Sequence, residues 1–330
     1  MKNIMPQSLY NPFADFRFDN KTCFLTGEPA TTYTQVFPAW LMRRYGLEDK
    51  PLKLLDESIR TYGSFRLPCS EAVAKRIEAL EATIEAAFAS GYDAVDRLDK
   101  VVLFQWIAKL VYGMVFNEIQ TGVRQYALSG EPMNFSQVLV HKFRNLHLML
   151  QSIARPVQFD GALPFTIAVT RVANEEGAFS YRDEINTLVF SLRMGDFGIV
   201  ACLQDNGANG IYHNDCLTEI GRHTLHPIQF EELCARFFYS AYLFARLPEY
   251  TVLPTADTVY IEPLAFADAG FRPVFDAWQA KTYGQVLENF WKPWGYTLFE
   301  IIKDPENPMS FLLDAQGKLR AHDQLDLPEA

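Results

Sequence analysis

Basic charge is in short supply: 30 Lys and Arg stand against 40 Asp and Glu, a formal net charge of -10 over 330 residues. That balance argues against a nucleic-acid binder whose whole surface is basic, although it leaves room for a local patch. Long apolar runs are also lacking, so no segment reads as spanning a bilayer and no membrane partner is expected. Met1 to Asn20 mixes Pro, Asn, Asp and Arg among its aromatics and has no unbroken apolar core of the kind a secretory signal needs. Five cysteines, odd in number and scattered, form no disulfide framework and suit reduced thiols in the cytoplasm. There is no internal repeat, coiled coil or low-complexity linker. No G-x-S-x-G elbow, phosphate loop or dinucleotide fingerprint occurs.

What is present is enough for a sizeable core. Hydrophobic residues make up 49% of the chain and aromatics 14%, and the length allows about two domains. Val36 to Tyr45 reads as a short helix with Pro38 in its first turn, followed by a polar stretch from Glu48 to Asp56. Tyr62 to Cys69 reads as a loop or short strand leading into a helix. Ser70 is a good cap for that helix, Glu71 lies in its first turn, and Gly91 stops it. Val73, Ile77, Leu80, Ile84 and Phe88 recur at the spacing of one helical face. Asp96 to Tyr126 predicts a second helix, apolar on most sides and therefore central. A third, capped by Ser136 and ended by Pro156, shows Leu139, Phe143, Leu146, Leu150 and Ile153 on one face. Lys142 and Arg144 occupy its other face. No acidic residue lies between Glu131 and Asp160, so that face is either a positive patch or an ordinary exposed polar face.

Beyond Pro156 the period changes. Leu163 to Val172 reads as a strand, and Thr187 to Met194 and Phe197 to Leu203 flank the turn Gly195-Asp196 as a hairpin. Gln204 to Gly210 reads as a turn-rich loop whose chemistry explains its residues. Ile228 to Leu247 predicts a helix stopped by Pro248, Thr258 to Leu264 a strand, and Val274 to Phe290 a further helix. Thr297 to Ile302 and Ser310 to Leu313 complete the second half, and Asp314-Ala-Gln-Gly317 reads as a hairpin turn. The expected class is α+β: a helical middle after a small N-terminal region, and a mixed α/β C-terminal half. A soft boundary divides residues 1–128 from 129–330.

One stretch points toward ancestry: Lys21-Thr-Cys-Phe-Leu-Thr-Gly-Glu-Pro29, followed by Val36-Phe-Pro-Ala-Trp-Leu41 and, later, Leu67-Pro-Cys-Ser-Glu-Ala-Val73. A zinc knuckle needs two thiolates about three positions apart, with a glycine after the second so that backbone amides can face the sulfurs. In order and spacing this first third of the chain resembles the HNH-type endonucleases of the treble-clef class. Cys23 and Gly27 align with the first knuckle and Cys69 with the second. Val36, Phe37, Pro38, Trp40 and Leu41 align with the segment after the family's histidine. The resemblance implies a degenerate member. Thr26 and Ala72 stand where the second thiolate of each knuckle would be, so no closed four-ligand zinc site is expected there. Thr34 and Gln35 replace the acidic residue and the histidine that activates water, and Val73 replaces the orienting asparagine.

The expected role is therefore a non-catalytic binding or scaffolding protein without a cofactor. Two alternatives remain. One is a nucleic-acid binder using Arg43, Arg44, Lys142 and Arg144 on phosphates, and the other a nuclease with a relocated site that recruits His141 or His147. Two further groups invite a metal reading. His213, Cys216, His223 and His226 are nitrogen and sulfur ligands within a short segment and could hold zinc, although His226 before Pro227 equally suits a helix cap. Glu175, Glu176, Asp183 and Glu184 could bind a hard cation or form a solvated loop between strands.

Overall fold

The computed structural model describes residues 9–53, 58–129, 136–266, 273–322, 325 and 327. Residues 1–8 of the N-terminal stretch and 54–57 of the predicted polar stretch lie outside that set. The chain opens with β1 (Thr32–Gln35), α1 (Ala39–Tyr45), β2 (Pro51–Lys53), β3 (Ile59–Thr61) and β4 (Arg66–Cys69). Helices α2 (Glu71–Ser90), α3 (Tyr92–Asp96), α4 (Lys100–Ser129) and α5 (Gln137–Leu150) follow. Next come β5 (Val157–Phe159), β6 (Thr166–Val172), β7 (Phe179–Glu184), β8 (Val189–Met194) and β9 (Phe197–Cys202). The last part holds α6 (Ala208–Tyr212), α7 (Asn214–Ile220), β10 (Thr224–Leu225), α8 (Pro227–Leu243), β11 (Tyr250–Pro254), β12 (Val259–Pro263), α9 (Ala280–Trp291) and α10 (Leu298–Ile301). The class is α+β.

Two compact units share the chain. The first comprises Met1–Ala89, Leu98–Ala162 and Glu249–Leu264, and the second Ser90–Arg97, Leu163–Pro248 and Ala265–Ala330. The boundary read from sequence, between residues 128 and 129, falls inside the first unit, because α5 packs on α4.

In the first unit, α2 starts where Ser70 offers its hydroxyl to the Val73 N–H at 3.5 Å, and the five predicted face residues are all buried. Gly91, at φ +85°, follows its end. The central helix α4 begins at Lys100 rather than Asp96. Asp99 decides this, because its carboxylate accepts from the N–H groups of Val101 (2.7 Å) and Val102 (3.3 Å) as a cap. Leu103 to Val115 are almost entirely buried, around Trp106, Tyr112 and Phe116. Gly113 allows close approach: a β-carbon there would sit 2.7 Å from Val36 Cγ1. Lys109, wholly buried on α4, pairs with Glu81 of α2. Burial pushes the Lys109 ammonium below its ordinary pKa, and Glu81 opposes that shift. Antiparallel pairings of β1 with β4 and β2 with β3, and the β11-β12-β5 sheet, complete this unit.

The second unit is built on a five-stranded sheet in the order β10-β6-β9-β8-β7, antiparallel except for β10 beside β6. Helix α8 packs on β8 and β9, and α9 packs on α8. Val189, Val200, Phe230, Leu233, Phe237, Leu287 and Trp291 lie in the shared core. The hairpin at Gly195-Asp196 forms as predicted, as does the turn at Asp314-Gly317, where the Asp314 N–H donates to Lys318 O at 2.8 Å. Only half of the acidic group lies in a loop between strands: Glu175 and Glu176 fall in the connection from β6 to β7. Asp183 and Glu184 belong to β7, paired with Phe190 and Val189, and Glu175 is ion-paired with Arg193 at 3.0 Å. Burial and the neighbouring Glu184 push the Asp183 carboxyl up to about 6. Among the described residues no helix is long and apolar enough to cross a membrane.

Candidate functional site

Residues 22–31 form a tight turn stitched to β4. The Gly27 N–H donates to Cys23 O at 3.1 Å and the Cys23 N–H to Glu28 O at 2.7 Å, while Thr22 and Pro29 form a β-bridge. The Phe24 N–H then donates to Pro68 O at 2.8 Å and the Thr31 N–H to Cys69 O at 3.0 Å. These bonds set Cys23 beside the strand that carries Cys69, and both thiols are fully buried and unpaired by disulfide. Burial pushes the Cys69 thiol up to about 11, and the neighbouring Cys23 adds to the rise.

Thr26 and Ala72, the two positions that the resemblance compares with knuckle thiolates, share one pocket. Thr26, on the turn, and Ala72 with Val73, at the start of α2, line an open pocket of ≈ 570 Å³. Glu28, Arg76 and Arg155 supply its charge, and the Thr26 hydroxyl donates to Glu28 Oε2 at 3.2 Å. Burial lowers the Arg155 pKa, and Glu28 opposes that shift. Two guanidiniums, one carboxylate and one hydroxyl make a surface for binding polar groups, and its lining includes no histidine or cysteine.

Helix α5 holds the turn from the other side. His147 Nε2 donates to Phe24 O at 2.8 Å, which fixes the proton on that nitrogen, and its ring packs against Tyr112 and Tyr10. Burial pushes the imidazole down to about 4, so it is neutral and engaged rather than poised as a base. Tyr10 is tied in by its N–H to Gln151 Oε1 at 3.2 Å and by its carbonyl to Gln151 Nε2 at 2.9 Å. Gly27, at φ +75°, has the Tyr10 ring where a β-carbon would lie, 2.5 Å away. Gly27→Ala therefore combines left-handed strain with overpacking, and urea denaturation should show a loss of about 2 kcal/mol.

The other residues singled out from sequence lie elsewhere. Gln35, in β1, does not line the pocket, and its buried Oε1 has no hydrogen-bond partner among the described residues. Trp40 is a core residue stacked on Trp106, with ring centroids 6.3 Å apart. Arg43 and Arg44 are exposed in the last turn of α1. On α5, Arg144 is exposed and donates to His141 Nδ1 at 3.0 Å, whereas Lys142 is half-buried, with its ammonium pKa lowered by desolvation. The basic residues are thus divided between two helices and differ in exposure.

The four ligands predicted between 213 and 226 do not assemble: no group of three or more His, Cys, Asp or Glu among the described residues is placed to hold a metal. His226 caps α8, with Nδ1 accepting from the Ile228 N–H at 3.2 Å and Gln229 completing a capping box. His223 is exposed, and burial pushes the Cys216 thiol up to about 11. His213 instead joins a buried polar chain that the sequence does not signal. Its Nε2 lies 2.8 Å from Ser240 Oγ, which donates to Asn209 Oδ1 at 2.6 Å. Asn209 Nδ2 donates to Asp205 Oδ2 at 3.0 Å, and Thr166 Oγ1 to the same oxygen at 2.6 Å. Asp205, read from sequence as a turn residue, is 1% exposed. No part of this chain opens onto a described pocket, so its effect is to fix α6, β6 and α8 together.

No family model, curated protein or solved structure matches the chain.

Proposed function

We propose that this chain is a non-catalytic binding or scaffolding protein whose first unit derives from an HNH-type, treble-clef nuclease that lost its metal ligands and general base. One observation carries the reading. Thr26 and Ala72, the positions where two separated motifs would each supply a thiolate, line the same pocket, and the turn bearing Cys23 is bonded to the strand bearing Cys69. Two thiols are too few for a closed zinc site, and Gln35 at the position of the base accepts no proton at neutral pH. The five buried, unpaired cysteines fit a reducing compartment, which we take to be the cytoplasm.

The test rebuilds the site. Thr26→Cys and Ala72→Cys together should create a four-thiolate site that binds one zinc per chain, more weakly as pH falls, while neither single substitution suffices. A folded double variant that binds no more zinc than the parent would overturn the ancestry. So would one zinc per parent chain that is lost on Cys23→Ser. With magnesium or manganese, plasmid DNA should remain intact, and cleavage abolished by Gln35→Ala would refute the loss of catalysis. Exposed Arg43, Arg44 and Arg144 favour one second reading, nucleic-acid binding without cleavage. Its signature is affinity that falls steeply with salt, with a shallower slope in Arg43→Ala.

A further inference from the structure

The second unit contains a pocket of ≈ 700 Å³, within the size range of small-molecule sites, lined by α8, the start of α9 and the segment from Glu306 to Arg320. Its floor is a fixed guanidinium. Arg236 donates to Glu232 Oε1 through Nη2 at 2.9 Å and Nε at 3.3 Å. The same carboxylate, wholly buried, also accepts from the Ser310 hydroxyl (2.7 Å) and from the N–H groups of Phe311 (2.7 Å) and Leu312 (2.9 Å). Glu232 is thereby saturated by protein donors, whereas Arg236 Nη1 has no protein partner among the described residues, and the side chain is 21% exposed toward the pocket side. At the rim, Arg320 uses Nη1 on Ser310 O at 2.7 Å, and its other nitrogens have no described partner.

The pocket also carries acceptors. The Glu306 side chain makes no hydrogen bond or ion pair among the described residues, and Asp314 uses Oδ1 on the N–H groups of Gln316 and Lys318 while Oδ2 has no described partner. Trp278, packed on Tyr283 with centroids 4.7 Å apart, forms an aromatic wall, and Met309 and Leu313 add apolar surface. A simple anion would leave Glu306 and Asp314 opposed to it, and a simple cation would meet Arg236 and Arg320. A ligand bearing both charges on an apolar body answers the guanidiniums, the carboxylates and the apolar wall together.

We propose that this pocket binds a small zwitterion of the α-amino-acid class with an apolar or aromatic side chain. Its carboxylate meets Arg236 and Arg320, its ammonium Glu306 and Asp314, and its side chain Trp278 and Met309. The site is independent of the ancestry of the first unit.

The full chain is titrated calorimetrically with L-phenylalanine, L-leucine, N-acetyl-L-phenylalanine and L-phenylalaninamide. Saturable binding is expected for at least one of the free amino acids, weakened at least tenfold when the ammonium is acetylated or the carboxylate is amidated. Arg320→Gln and Asp314→Asn, both at exposed positions and neither a donor to the Glu232 carboxylate, should each reduce affinity at least tenfold. The absence of saturable binding up to 10-millimolar-scale concentrations (roughly the weak end of specific small-ligand affinity) would overturn the proposal. Equal binding of the acetylated or amidated form, or undiminished binding by both variants, would do so as well.

Discussion

Glu232→Ala should lower the stability of the second unit by about 3 to 5 kcal/mol, the range for removing one partner from a buried charge pair. The side chain is wholly buried and accepts from three residues of one segment and from Arg236. Truncation strands the N–H groups of Phe311 and Leu312 without acceptors and leaves the largely buried Arg236 guanidinium without its counter-charge. It also opens a gap between α8 and the segment that carries Phe311 and Leu312, both core residues. Glu232→Gln keeps the volume but presents an amide NH2 where a carboxylate oxygen received N–H groups, so it should recover only part of the loss. Urea denaturation followed by tryptophan fluorescence measures both, since Trp278 and Trp291 pack within this unit. A Glu232→Ala midpoint unchanged from the parent would show that the carboxylate does not hold the segment in place.

Local rules made some of the fold legible. Helix α2 has a cap, a five-residue face and a glycine stop, all between Ser70 and Gly91. The β8-β9 hairpin needed only two alternating runs and a Gly-Asp turn. The failures lie where distant pairing overrides local pattern. Strand β7 ends in three consecutive charged residues, Arg182 to Glu184, of which Asp183 and Glu184 read locally as loop, yet pairing along β8 holds both in the sheet. Strands β5 and β12 lie side by side although about a hundred residues separate them, a relation that periodicity does not carry.

The candidate site divides in the same way. The resemblance to HNH-type endonucleases singled out Cys23, Thr26, Cys69 and Ala72, because its motifs are short local patterns that can be compared position by position. Arg155 entered the pocket unforeseen, since in sequence it is only the residue before the proline that ends a helix. Asp205, Asn209 and Ser240 were equally hidden: each is an ordinary turn or helix polar residue until the fold buries all three in one hydrogen-bonded chain. The separation of Asp205 from Asn209 by one helical turn was the only signal available, and it also describes a solvated loop. In the pocket of the second unit, Arg236 reads from sequence as an ordinary charge on α8, and its restraint by Glu232 depends on the Ser310 segment folding back over that helix.

Two buried histidines should make the protein increasingly unstable in acid, and from a pH well above the carboxylate range. Burial holds the His147 imidazole at about 4 and that of His213 at about 3, both below the ordinary value of about 6.5. The unfolded chain therefore takes up these protons first. Stability is intact above about pH 6.5, falls through the window down to about 4 for His147 and about 3 for His213, and then levels off. At pH 4.5 each histidine should contribute a loss of about 2.5 kcal/mol relative to neutral pH. Asp183 opposes the trend: with its carboxyl held at about 6, the folded chain binds that proton more tightly, and stability gains as pH falls below that value. Variants separate the terms. His147→Gln retains a donor for the Phe24 carbonyl without a titrating ring, and His213→Asn retains a polar partner for Ser240. Each variant should lose stability at pH 7.5 yet show a smaller difference between its urea midpoints at pH 7.5 and 4.5 than the parent does. Because His147 belongs to the first unit and His213 to the second, the two effects should appear in separate parts of the structure by hydrogen exchange. An undiminished pH difference in both variants would place the acid sensitivity on other groups and show that neither ring is held neutral by burial.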